Sequence, residues 1–140
     1  MKTYLYNLKT AKKDGVKSTG NASKGGYKGT IGISSFNLYV KKGNKSFEEL
    51  LKEIGNGILI TDFAGLHSGL NPISGDFSLA GEGFLIKNGK KCEALNQMTI
   101  AGNFFELLKD IEEIGNDMKF SLSSTGSPSI LIKKLHFSVE

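Results

Sequence analysis

Phe47, Leu50, Leu51 and Ile54 recur at i, i+3, i+4 and i+7, the spacing of one helical face. Ser46 precedes this stripe, Glu49 completes a capping box, and Gly55 supplies a stop, so the pattern predicts a short helix over about 47–54. A second stripe, Phe104, Leu107, Leu108 and Ile111, follows Asn103 as cap with Glu106 at N3, and predicts a helix over about 104–114, ended by Gly115. Elsewhere the period falls to two. "SSFNLYVKKG" puts Phe36, Leu38 and Val40 on one face of a half-buried strand, and "GILITDFAG" is an apolar run of the kind covered on both faces. The segment "GDFSLAGEGFLIKNGKKCEALNQMTIAG" reads as a hairpin with Asn88-Gly89 at its turn, the dipeptide a type I′ turn favours. "SILIKKLHFSV" is the last strand. At the other end, Tyr4–Leu8 alternates like a strand and turns helical near Ala11, and "VKSTGNASKGGYKGTIG" has the composition of a loop. The expected fold class is α+β, with two short helices on a largely antiparallel or mixed sheet.

Composition narrows this picture without changing it. The 140 residues fit one domain, and the 18 glycines suit a turn-rich sheet better than a bundle. No apolar run is long enough to span a membrane and no signal peptide opens the chain, so the expected compartment is the cytoplasm. Cys92 is the only cysteine, which excludes an intrachain disulfide and a cysteine-based zinc cluster.

Charge is uneven. Residues 1–45 hold ten lysines against Asp14 alone, whereas residues 46–140 hold eight lysines against thirteen acids. All 18 basic residues are lysine. Bidentate recognition of guanine or phosphate favours arginine, so nucleic acid is not the expected partner.

The candidate chemistry is sparse. In "NPISGDFSLAGEGFLIKNG" the glycines lead into a strand and not a helix, and Glu82 stands where a phosphate would sit, which excludes a phosphate-binding loop. Bulge and hairpin glycines account for the stretch better. Asp62, His67 and Ser68 have no spacing rule or nucleophile elbow to join them, and neither His67 nor His136 lies in an HExxH or HExxxH pattern. His67 is expected to hydrogen-bond in a loop, His136 to be half exposed on a strand, and Cys92 to pack as a small apolar group. Asp76 follows Gly75 and is expected to accept backbone amides in a turn. No catalytic set emerges.

Taken together, "KSTGNA", "NLYVKKGNKSFEELLKEIGNGILITDFAG", "NPISGDFSLAGEGFLIKNG", "MTIAGNFFELLKDIEEIGND" and "SPSILIKKLHFS" resemble, in order and over nearly the whole chain, the C-terminal part of the TldD/PmbA family. Members of that family have also been called modulators of DNA gyrase. The resemblance implies a pair of subunits acting on unfolded peptides: a zinc-bearing TldD and a metal-free PmbA, or TldE. TldD carries its His-Glu-x-x-x-His upstream of this region and a cysteine ligand after the Gly-Asn-Asp segment. Here that place reads "GNDMKFSLSSTGSPSIL", with no cysteine, histidine or carboxylate between Met118 and Leu131. The resemblance therefore implies the PmbA-like, metal-free side, with no cofactor in this chain and zinc in a TldD-like partner. Leu79 departs from the pattern, since relatives commonly place arginine there.

On this reading residues 1–140 form a single domain of a PmbA/TldE-like protein, truncated at its N-terminus, and truncation leads one to expect self-association. Its expected role is non-catalytic: helping to form the chamber that presents an unfolded peptide for maturation or degradation. Asn71, Gly75 and Asp76 are the expected substrate-binding surface, with no catalytic and no metal-binding residue. The alternative role is a regulatory module acting on DNA gyrase, DNA or a toxin–antitoxin pair without proteolysis.

Overall fold

A computed structural model describes residues 3–120 and 124–139. The elements are, in order, α1 (Leu8–Asp14), β1 (Ala22–Lys24), β2 (Ile31–Ile33), β3 (Leu38–Tyr39), α2 (Phe47–Ile54), β4 (Gly57–Ala64), α3 (Leu66–Gly69), β5 (Asp76–Lys87), β6 (Lys90–Asn103), α4 (Phe104–Lys109), β7 (Ile111–Ile114), β8 (Lys119–Phe120), β9 (Thr125–Ser127), β10 (Ile130–Ile132) and β11 (His136–Val139). Helices with mostly antiparallel strands make an α+β fold, as the period changes predict. The chain divides into two compact units, Met1–Val40 with Phe120–Gly126, and Lys41–Lys119 with Ser127–Glu140.

The larger unit is organised by a four-stranded antiparallel sheet in the order β11-β6-β5-β4. Its centre is the long hairpin β5–β6, whose turn residues Asn88 and Gly89 both have positive φ, 51° and 72°, the geometry that selects Asn-Gly. Along β5 burial alternates strictly from Asp76 to Gly83. Phe77 and Leu79 thereby meet Met98 and Ile100 of β6 in the core, with Ile58, Ile60, Leu70, Leu95, Leu107 and Leu135 packed around them. Gly81 and Gly83 flank a point at which the ladder changes register, opposite an extra residue on β6. A Cβ on Gly83 would collide with the Leu59 carbonyl oxygen of β4, and one on Gly81 with the Ile100 side chain. Close strand approach at Gly83 and the fully buried Ile100 side chain at Gly81, and not positive φ, favour glycine at these two positions.

Helix α2 is built as its sequence specifies. The Ser46 hydroxyl accepts from Glu49 N at 3.2 Å and the Glu49 carboxylate accepts from Ser46 N at 2.6 Å. Its C-terminal loop is held by the hairpin turn, with Gly89 N donating to Gly55 O at 2.8 Å and Asn88 N to Asn56 Oδ1 at 3.0 Å.

Several local expectations are corrected. The second helix stops at Lys109, and Ile111–Ile114 is strand β7, paired with β10. Helical periodicity and a short strand after a six-residue helix both place apolar residues at 107, 108, 111 and 114, so the stripe alone does not distinguish them. "SILIKKLHFSV" is two strands in two sheets, β10 and β11. β4 is not covered on both faces, because it lies at the sheet edge with Thr61–Ala64 exposed. Cys92 is exposed instead of packed.

In the smaller unit Asn7, not a strand, precedes the first helix. Its Oδ1 accepts from Thr10 N at 2.9 Å, and Gly15 ends α1 in the left-handed region. The Gly- and Lys-rich stretch expected as loop contains the hairpin β1–β2, paired Ala22↔Ile33, Ser23↔Gly32 and Lys24↔Ile31. β3 pairs with β9 in parallel and leaves Phe36 and Leu38 exposed, so the expected half-buried strand is a short surface one.

Candidate functional site

The three residues singled out from the sequence come together. Asn71 closes a tight loop: its Oδ1 accepts from Ile73 N at 2.9 Å and Ser74 N at 3.2 Å, and its carbonyl accepts from Gly75 N at 2.8 Å. Asn71 N in turn donates to Asp76 O at 2.8 Å. Asparagine is suited to this corner because its side-chain carbonyl imitates a backbone acceptor. Gly75 has φ of 82°, and a Cβ there would lie 2.7 Å from the Phe105 ring, so both conformation and space demand glycine.

Asn103, at the end of β6, joins this loop to α4. Its Oδ1 accepts from Phe105 N at 3.0 Å and Glu106 N at 3.4 Å, capping the helix. Its Nδ2 donates to Ser74 O at 2.9 Å and to Asp76 Oδ1 at 2.8 Å. The Asn103 side-chain amide and the Ser74 side chain hold the Asp76 carboxyl below its ordinary value. Asp76 was expected to accept backbone amides. Its side-chain partners are instead those of Asn103 and Ser74, because it begins β5 directly opposite Asn103.

That opposition depends on two bulges. Carried unbroken from Lys87↔Lys90, the hairpin register would set Asp76 against Ala101. The shifts between Phe84 and Ile86 and between Gly81 and Gly83 each place one extra residue on β6, and bring Asn103 there. Asn103 was legible only as a helix cap, and Ser74 carried no signal of its own beyond lying between Asn71 and Gly75.

Around this polar frame lie exposed apolar side chains. Ile73, at the loop tip, is 91% exposed, and Phe104, Phe105 and Leu108 are exposed on α4. The Phe104 and Phe105 rings meet edge to face at 6.0 Å. On the same four-stranded sheet a groove of about 420 Å³ is lined by Asp62, Phe63, Ala64, Ala80 and Glu82 on one side and Asn96, Gln97 and Thr99 on the other. The residues singled out from the sequence are thus held by paired hydrogen bonds beside exposed apolar side chains.

The alternative constellation does not assemble. Asp62 accepts from Phe63 N at 2.8 Å, and the Ser68 hydroxyl donates to Gly65 O at 3.4 Å. His67 is exposed on α3 and His136 on β11. Among the described residues no three His, Cys, Asp and Glu side chains are grouped to hold a metal ion, so these residues do not fit a zinc ion. Residues 121–123 of the segment after Gly-Asn-Asp lie outside the described residues. Among the described residues, no helix is long and apolar enough to cross a membrane.

A family described as "PmbA/TldA metallopeptidase C-terminal domain" matches residues 1–139. The chain is similar to Metalloprotease PmbA of Escherichia coli O157:H7, at 33% identity over 94% of this chain and 26% of the relative. It is also similar to a solved protein of Thermotoga maritima MSB8, described as a candidate modulator of a DNA gyrase. That similarity has 46% identity and a TM-score of 0.83, over 99% of this chain and 31% of the other. The crystal structure of TldE from Thermococcus kodakarensis matches with a TM-score of 0.83 and 26% identity, over the same shares of the two chains. The chain thus spans less than a third of the length of each of these relatives.

Proposed function

Since the chain belongs to the PmbA/TldD family of metallopeptidases, as its C-terminal domain, we propose that it is the non-catalytic, TldE-like part of a cytoplasmic two-subunit peptidase. In this role it completes the chamber in which an unfolded peptide is presented to the zinc of a TldD-like partner. The observation that carries the reading is the Asn71–Asp76 loop locked to Asn103. It is a rigid, hydrogen-bonded frame flanked by exposed apolar side chains, with no nucleophile–base pair joined in it. Such a frame binds and orients a chain without reacting with it. Substrate-binding roles for Asn71, Gly75 and Asp76 belong to this proposal.

The edge position of β4 supports the same reading. Among the described residues no strand pairs with its second side and Thr61–Ala64 are exposed, so this edge offers a place for an added extended peptide, although the Phe63 amide is already bonded to Asp62 Oδ1. Backbone pairing gives low sequence selectivity, which suits an enzyme for unfolded peptides.

Reconstitution with a TldD-type zinc subunit and an unfolded peptide tests the proposal. Turnover is expected only when the zinc subunit is present, and Asp76→Ala is expected to reduce it while leaving the two chains associated. Peptide turnover by this chain alone would overturn the non-catalytic role. Steeply salt-dependent DNA binding without any such association would favour the regulatory alternative.

A further inference from the structure

In the hairpin β1–β2 the residue pairs Ala22↔Ile33 and Lys24↔Ile31 share one face, and Ser23↔Gly32 the other. A hairpin packed on its own unit turns its large apolar side chains inward. Here the reverse holds: Ile31 is 66% and Ile33 42% exposed, while Ser23 is the half-buried residue. The hairpin is nevertheless held in place, with Asn7 Nδ2 donating to Gly32 O at 3.2 Å and Asn21 Nδ2 to Ser34 O at 3.1 Å. Its connection carries Tyr27, 90% exposed, between Lys24 and Lys28. Asp14 is the only acidic residue in the first 45.

We propose that this outward face, Ile31 and Ile33 with Lys24, together with the exposed connection that carries Tyr27 and Lys28, is a docking surface for a protein partner whose contacting face is apolar at its centre and edged with carboxylates. The isoleucines call for an apolar counterpart, since exposed β-branched side chains gain by leaving water and do not stack on bases. The lysines, almost without acids beside them, call for carboxylates at the rim, where complementary charge sets association rate and register. The inference rests on the two-subunit reading, and assigns this face to the TldD-like subunit.

The test measures association of this chain with the TldD-type zinc subunit by biolayer interferometry at low and high salt, with peptide turnover in parallel. Lys24→Glu/Lys28→Glu is expected to weaken binding about tenfold and flatten its salt dependence. Ile31→Ser/Ile33→Ser is expected to weaken it about tenfold at both salt concentrations. The lysine pair is exposed, so that variant keeps its fold, and circular dichroism verifies both. Wild-type binding that neither folded variant disturbs would overturn the docking surface and leave the functional reading standing. Absence of both association and turnover in the wild type would overturn the two together. Self-association in analytical ultracentrifugation, or oligo(dT) binding, abolished by these same variants would assign the face to another occupant and overturn the proposal.

Discussion

The hairpins β5–β6 and β1–β2 are built on the same two-residue alternation and point it in opposite directions. In β5–β6 the large apolar side chains Phe77, Leu79, Met98 and Ile100 face the core, and Ser78, Ala80 and Thr99 face out. In β1–β2 the isoleucines face out and a serine is half buried. The first hairpin contributes the hydrophobic surface that stabilises its own unit. The second contributes almost none, because among the described residues its unit buries little beyond Asn7 and Ala11. Local alternation therefore marks a strand, and only the burial of its faces tells whether the apolar one serves folding or association.

Core truncation should expose this difference most strongly. Ile100→Ala, at a residue with 0% exposure, is expected to cost about 2–5 kcal/mol, whereas Ile31→Ala is expected within about 0.5 kcal/mol of wild type, as urea unfolding would measure. Comparable losses would mean that β1–β2 packs on something in the free protein.

A glycine pair gives the next contrast. Gly83→Ala must displace the Leu59 carbonyl of β4, at a cost of about 1–3 kcal/mol. Gly29→Ala, in the β1–β2 connection, meets only ordinary contacts at 3.5 Å and is expected to be nearly neutral in the same unfolding measurement.

Asn103→Ala removes the α4 cap together with both bonds to the 71–76 loop. It is expected to cost about 1 kcal/mol. Hydrogen exchange should quicken at Phe105 and Glu106 and spread to Ser74, while Thr10→Ala, in the other unit's capping box, should disturb α1 alone.

The smallest effect is electrostatic. With its pKa lowered in the folded protein, the Asp76 carboxylate contributes stability that is fully present above the ordinary value of 3.8 and is lost as pH falls through the lower folded value. An NMR titration should show the Asn103 side-chain amide shifting with a midpoint below 3.8. A midpoint above it would mean that the Asn103–Asp76 bond is absent in solution.

Much of this architecture was legible where one local rule governs. Ser46 with Glu49, Asn103 before Phe104, and Asn88-Gly89 each satisfy backbone groups within a few residues, so their roles follow from spacing. Asn71, Gly75 and Asp76 were legible as a cluster because five consecutive intervals of chain cannot separate them far. The extent of the second helix was not legible, because Ile111 and Ile114 suit a helix stripe and a strand paired with β10 equally well. Nor was the exposure of Cys92, which depends on which side of β6 another layer covers.

The sequence by itself determined the α+β class, the capped starts of α2 and α4, and the hairpin turn, since each depends on residues close in the chain. The tertiary structure alone decided that Asn103 reaches Asp76, through two bulges that shift the β5–β6 register. It also decided that β4 ends the sheet and that Ile31 and Ile33 face outward. Register, strand order and face are relations between segments far apart in the chain, and packing across the whole domain selects them.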